Sequence, residues 1–184
     1  IRSIFNGSTA DFLEYGTVVF GNLWDLLDQQ FERLSAIEKT VMRWLAINRE
    51  WVSLKELRAD IIPAVSHRVL LEAAESLKAR SLIETSAAGV TQQPVVMEYM
   101  TERLVAQFYE EINQQDFDAF SRYALLKADA REFVREAQVR QLSRSLLEKL
   151  LLLVDKTSIE DQLKQMLSVL KSKPAKPTIP KQKK

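Results

Sequence analysis

Residues 35–112 read SAIEKTVMRWLAINREWVSLKELRADIIPAVSHRVLLEAAESLKARSLIETSAAGVTQQPVVMEYMTERLVAQFYEEI, and the order of patterns in this stretch decides the fold. Ser35 and Glu38 have the S-x-x-E spacing of a capping box, in which each side chain satisfies a backbone donor at the other position. Ile37, Val41, Trp44 and Leu45 then follow on one helical face. Ser53 and Glu56 repeat the device ahead of Leu54, Leu57 and Ile61, and Pro63 stops that helix because proline lacks the donor a helix interior needs. Ser66 caps a third helix that presents Leu70, Leu71, Ala74 and Leu77. Next, Leu82-Ile83-Glu84-Thr85 faces Val90-Thr91-Gln92-Gln93 across Ser86-Ala87-Ala88-Gly89, a loop length suited to a hairpin. Pro94 is placed as the first residue of a longer helix through Val96, Met100, Leu104 and Phe108. The pattern predicts a mainly α fold, a winged helix made of three short helices plus a β-hairpin wing, followed by a helical extension.

Outward from this stretch the patterns are helical. Thr9 caps a short turn through Tyr15 that Gly16 ends, and Asn22 with Asp25 starts a helix whose apolar face is Leu23, Leu26, Leu27, Phe31 and Leu34. Beyond Asn113 no further strand is expected. Asp116 opens a helix or helix pair running towards Val154, and Thr157 with Glu160 makes a third capping box before Ile159, Leu163, Met166, Leu167 and Leu170. Residues 172–184 carry three prolines, five lysines and almost nothing apolar, which reads as a disordered basic tail. The expected domains are 1–34, 35–112, 113–171 and the tail at 172–184.

Composition narrows the chemistry. At 184 residues and 46% hydrophobic, the chain can bury a core. It contains no cysteine, so thiolate metal sites and disulfides are absent, which is compatible with the expected cytoplasmic location. The start Ile-Arg-Ser-Ile-Phe-Asn lacks methionine and the pattern of a signal peptide, and is expected to belong to something longer. No run reaches the roughly 18 apolar residues of a spanning helix, so no membrane is expected as partner.

A net charge of +1 hides an asymmetry: residues 1–120 carry 11 basic and 18 acidic side chains, while residues 121–184 carry 15 basic and 7 acidic. Phosphate-binding surfaces concentrate lysine and arginine, so this distribution counts against a DNA-reading wing. In the third helix the expected exposed residues are His67, Arg68, Glu72, Glu75, Lys78 and Arg80, and two glutamates on that face oppose phosphates. Lys127, Arg131, Arg135, Arg140 and Arg144 form a basic stripe. Asp129, Glu132 and Glu136 are interleaved at ion-pair spacing, so a solvated face is the simpler reading.

Enzyme chemistry finds no footing. There is no G-x-x-x-x-G-K-[ST] phosphate loop, and glycines at 7, 16, 21 and 89 are too scattered to cradle a phosphate. One histidine excludes histidine-pair metal sites, and His67 reads as a surface or capping residue. The carboxylates Glu110, Glu111, Asp116 and Asp118 lack the alternation and central glycine of a calcium loop and read as a solvated segment. Trp24, Trp44 and Trp51 have helical spacing and apolar neighbours, which places them in a core or an interface rather than as stacking platforms.

Three blocks carry a resemblance. Leu26-Leu27-Asp28-Gln29-Gln30-Phe31-Glu32-Arg33-Leu34-Ser35, Trp44-Leu45-Ala46-Ile47-Asn48-Arg49-Glu50 and Gln93-Pro94-Val95-Val96-Met97-Glu98-Tyr99 resemble the region that follows the nucleotide-binding domain in cyanobacterial NB-ARC proteins with WD repeats, signalling ATPases of the STAND type. The similarity runs to about Lys171. It implies that 1–34 ends an ARC-like helical subdomain, that 35–112 is the winged-helix subdomain and that later helices lead to a WD-repeat propeller. It also implies an upstream nucleotide-binding domain and a downstream propeller as partners, with ADP or ATP bound by the parent protein and no cofactor in this chain. The family places a Met-His-Asp motif after the wing, whose histidine touches the phosphates of ADP. The corresponding positions here are Gln92, Gln93 and Pro94, which makes Gln93 the nucleotide-sensor position by resemblance. A glutamine amide donates to a phosphate without carrying charge, and Pro94 cannot act as the aspartate does.

The expected function is a non-catalytic regulatory and interaction module coupling nucleotide state to a downstream sensor. The alternative is a winged-helix DNA-binding transcription regulator. Trp24, Leu27 and Phe31 belong to what reads as an incomplete subdomain and are expected to form an exposed docking or self-association surface; the competing expectation is that they fold back onto the winged helix and close its core.

Overall fold

The computed structural model describes residues 23–152 and 156–172, and the expectations for Thr9 to Gly16, for Asn22 as a cap and for the tail from residue 173 lie outside those residues. The chain divides into two compact units after Thr101.

The first unit opens with helix α1, residues 23–32. Helices α2 (Ala36–Asn48), α3 (Leu54–Asp60) and α4 (His67–Ala79) follow. Both predicted capping boxes are present: Ser35 accepts from the Glu38 N–H while Glu38 accepts from the Ser35 N–H, and Ser53 and Glu56 do the same. Ser66 accepts from the Val69 N–H as the cap of α4. These caps stabilise helices too short to persist alone, by about 1 kcal/mol each. Packing supplies the rest. α2 packs on α3 and α4, and Val41, Leu45, Leu57, Leu70 and Leu77 are removed from solvent altogether. Leu71, expected on the buried face of α4, points outward.

The hairpin comprises β1 (Ile83–Ser86) and β2 (Gly89–Gln92), antiparallel, with Ser86 opposite Gly89. Its turn is therefore the two residues Ala87 and Ala88 rather than the four expected. The reason is a third segment: Val52, between α2 and α3, exchanges two backbone hydrogen bonds with Val90, at 3.0 and 2.9 Å. That pairing draws Gly89 into the strand. Gly89 has φ +130°, and a Cβ there would lie 2.1 Å from the Val52 carbonyl oxygen. Only glycine leaves room for this close approach.

Helix α5 (Pro94–Gln114) begins at the proline, as predicted, and continues past Thr101. Gln115 ends it in the left-handed conformation, φ 57°. In the second unit the expected helix or helix pair from Asp116 is a pair, a short helix and then a continuous helical stretch over 132–151. A five-residue α6 (Asp118–Arg122) is followed by a non-helical stretch, then α7 (Glu132–Gln138), a π turn (Val139–Ser143) and α8 (Arg144–Leu151). Phe108, Ile112, Phe117 and Leu142 form this unit's core, with the Phe108 and Phe120 rings 4.5 Å apart. Helix α9 (Lys156–Ser172) already contains Lys156, so Thr157 is not its cap. Ile159 and Met166 are buried on α9, whereas Leu167, expected on the same face, is 53% exposed. The described fold is mainly α with one two-stranded hairpin, and none of its described helices is long and apolar enough to cross a membrane.

Candidate functional site

The expected nucleotide-sensor and docking residues fall in two places of the first unit, the hairpin-to-α5 junction and the face of α1. At the junction β2 ends at Gln92 and α5 starts at Pro94, so Gln93 is the hinge residue between them. Its carbonyl accepts from the Met97 N–H at 2.9 Å, the first backbone bond of α5. Its side chain is half-buried and makes no hydrogen bond or ion pair among the described residues. The amide is thus available to donate to, or accept from, a ligand, but brings no charge.

The neighbouring Gln92 is committed inward. It is 2% exposed, and its Nε2 donates to the Met42 carbonyl at 2.9 Å, tying β2 to α2. Its Oε1 has no hydrogen-bond partner among the described residues. Pro94 contributes no donor and fits the first turn, where a donor would go unused. The triplet therefore holds one structural amide, one free amide and a helix start.

The face of α1 is a correction. Leu27 is 6% exposed and Phe31 3%, while Trp24 is half-buried. All three are absorbed within their own unit, chiefly by Tyr99 of α5. The Tyr99 ring makes edge contacts with Trp24, at 5.9 Å and 82°, and with Phe31, at 6.5 Å and 69°. Its hydroxyl donates to Asp28 at 2.6 Å. Lys39 and Arg43 lie over the Phe31 ring at 5.2 and 5.5 Å. The gap among Leu27, Phe31, Leu34, Met42, Leu82, Val96 and Tyr99 is wholly apolar and too narrow for a water molecule. The exposed docking surface is therefore closed: the helix folds back onto the unit it precedes, because Tyr99 supplies both an apolar body and a polar tip.

The remaining candidates separate cleanly. Trp44 is in the core as expected, but Trp51 is 41% exposed. His67, Arg68, Glu72, Glu75, Lys78 and Arg80 lie on or just beyond α4 and all six are exposed, as expected; Arg68 pairs with Glu72 at 2.7 Å. No metal-holding cluster occurs among the described residues. Within the acidic group, Glu111 serves the fold. Its carboxylate accepts from the N–H groups of Ala119, at 2.8 and 2.9 Å, and Phe120, at 3.3 Å. It thus caps α6 from a distance, as an anion suits a helix N-terminus. In the basic stripe, Arg135 donates to the Ala128 carbonyl at 3.1 Å.

Three participants were missed from the sequence. Tyr99 stands three residues after Val96 on the same face, a spacing that could have included it. Arg49 and Gln138 had no local signal. Arg49 reaches α5 from the end of α2, and Gln138, fully buried, accepts from the Lys127 N–H at 3.1 Å.

No family model matches the chain, and no solved structure matches it. It is similar to an uncharacterized WD repeat-containing protein from Nostoc sp., 40% identical over an alignment 187 positions long that covers 82% of this chain. The chain spans 15% of that relative's length. Its sequence is thus akin to one segment of a much longer cyanobacterial WD repeat-containing protein.

Proposed function

We propose that this chain is the non-catalytic winged-helix and helical-linker module of a STAND-type, NB-ARC signalling ATPase, coupling nucleotide state to a WD-repeat sensor. The observation that carries the reading is the similarity to part of a WD repeat-containing protein, 15% of whose length this chain spans. The order of three helices, hairpin and long helix, with Val52 as a third strand-like pairing, fits a winged helix and supports the subdomain assignment. A module of this kind acts by position. It packs against a nucleotide-binding domain in the ADP state and moves on exchange, so differential contacts in the two states do the coupling. Gln93, with its free amide at the start of α5, is the residue of this chain suited to meet a phosphate oxygen.

The coding sequence on either side tests the proposal: a phosphate-loop domain in frame upstream and WD repeats downstream are expected, and a short upstream start would overturn it. Calorimetric titration of this chain with ATP and ADP is expected to show no magnesium-dependent binding in the micromolar range, because the phosphate loop and magnesium-holding aspartate belong to the upstream domain.

A further inference from the structure

Arg49 occupies an unusual position. It terminates α2 in the left-handed conformation, φ 55°, its N–H bonded to the Leu45 carbonyl. A non-glycine residue holds that conformation only when its surroundings over-determine it. Here the surroundings are on α5. The Arg49 side chain is 9% exposed; Nη1 donates to Thr101 Oγ1 at 2.7 Å and Nη2 to Glu98 Oε1 at 3.1 Å. Thr101 is itself buried, and its hydroxyl donates in turn to the Met97 carbonyl at 2.7 Å. A threonine bonding back to the carbonyl four residues earlier slightly destabilises a helix and often bends it. Arg49 therefore fixes a hydroxyl that also bonds the Met97 carbonyl, and it does so with an ion pair whose carboxylate is 54% exposed to solvent.

We infer that Arg49 is a latch on α5. Engaged, it holds the Met97 to Thr101 turn closed; released, that turn opens locally while the apolar core of α2, α3 and α4 stays intact. The design separates the two parts: Val41, Leu45, Leu57 and Leu70 carry the core without any contribution from this relay, whereas the relay is polar and reachable by ions through Glu98. It goes beyond the proposed function and holds whatever the parent protein does.

Amide hydrogen exchange on the full chain tests it. In Arg49→Met, exchange over residues 97–105 is expected to rise about tenfold, while residues 41–47 and 70–77 change by less than about twofold. Wild type in 1 M salt should move in the same direction, since the exposed half of the ion pair is screened, on the order of a 3 Å Debye length. Thr101→Val removes the back-bond, so adding Arg49→Met to it should produce no further rise at 97–105. Glu98→Gln provides a milder variant if Arg49→Met folds poorly. Acceleration spread evenly over α2, α4 and α5 would show Arg49 to be an ordinary structural tie and overturn the latch, as would unchanged exchange at 97–105.

Discussion

A Cβ added at position 89 would sit 2.1 Å from the Val52 carbonyl oxygen, in a backbone conformation of φ +130° that L residues avoid. Gly89→Ala must therefore break the Val52 and Val90 pairing and strain the hairpin, and a loss of about 2–4 kcal/mol in urea unfolding is expected; stability within about 0.5 kcal/mol of wild type would show that the third segment matters little. Glu38 offers a pH-dependent counterpart. Burial alone raises its carboxyl, but bonds from Ser76 and Ser35 and the nearby Arg80 charge bring it below its ordinary value. A lowered folded pKa means the carboxylate stabilises the fold at neutral pH, and that this stability is lost as pH falls from the ordinary carboxylate range through the lowered value. Glu38→Gln should be less stable than wild type at pH 7, by about 1 kcal/mol, with the gap closing in acid. A gap that persists undiminished at low pH would assign the effect to shape rather than charge.

Among elements, what the sequence disclosed was what is local. The caps at Ser35, Ser53 and Ser66 and the start at Pro94 depend on neighbours within four residues, so they are legible. The turn of the hairpin was not, because Val52, far along the chain, sets it. The second unit hides its logic further: Val134, Gln138, Leu142, Leu146 and Leu150 are all buried at a strict spacing of four, which an α-helix of 3.6 residues per turn cannot keep on one face. The π turn at Val139–Ser143 widens the coil in the middle and absorbs the drift. Of the candidate site, the place of Gln93 between β2 and α5 was legible, since Gln93 directly precedes Pro94, while its role comes from the resemblance alone. The fate of Trp24, Leu27 and Phe31 was not, since it rests on Tyr99, about seventy residues away in the chain. Replacing Phe31 with serine should accordingly destabilise the chain by about 3–5 kcal/mol, the cost of emptying a packed aromatic site. A Trp24 and Phe31 double substitution that instead stayed fully folded and ran as a cleaner monomer in sedimentation velocity would restore the docking-surface reading.

For the whole chain, the charge division remains its broadest electrostatic feature, with 18 acidic to 11 basic side chains over residues 1–120 and 7 to 15 over residues 121–184. The outer face of α4 carries Glu72 and Glu75, with Arg68 neutralised by Glu72, so the helix that a winged-helix DNA reader would insert offers little to phosphates. On the basic side, Arg140 and Arg144 have no ion-pair partner among the described residues. Whatever affinity for duplex DNA the chain shows should come from that side, by release of counterions, and so carry no sequence preference. Binding measured by fluorescence anisotropy is expected to be weak at about 50 mM salt and to fall at least tenfold by about 200 mM, as counterion release from even a few phosphate contacts requires. Deleting residues 172–184, which hold five lysines and no acidic residue, should remove most of it, and Arg140→Ala with Arg144→Ala part of the remainder. Sequence-selective binding that survived both the deletion and physiological salt would require a reading surface on the acidic unit, and would favour the transcription-regulator alternative over a signalling module.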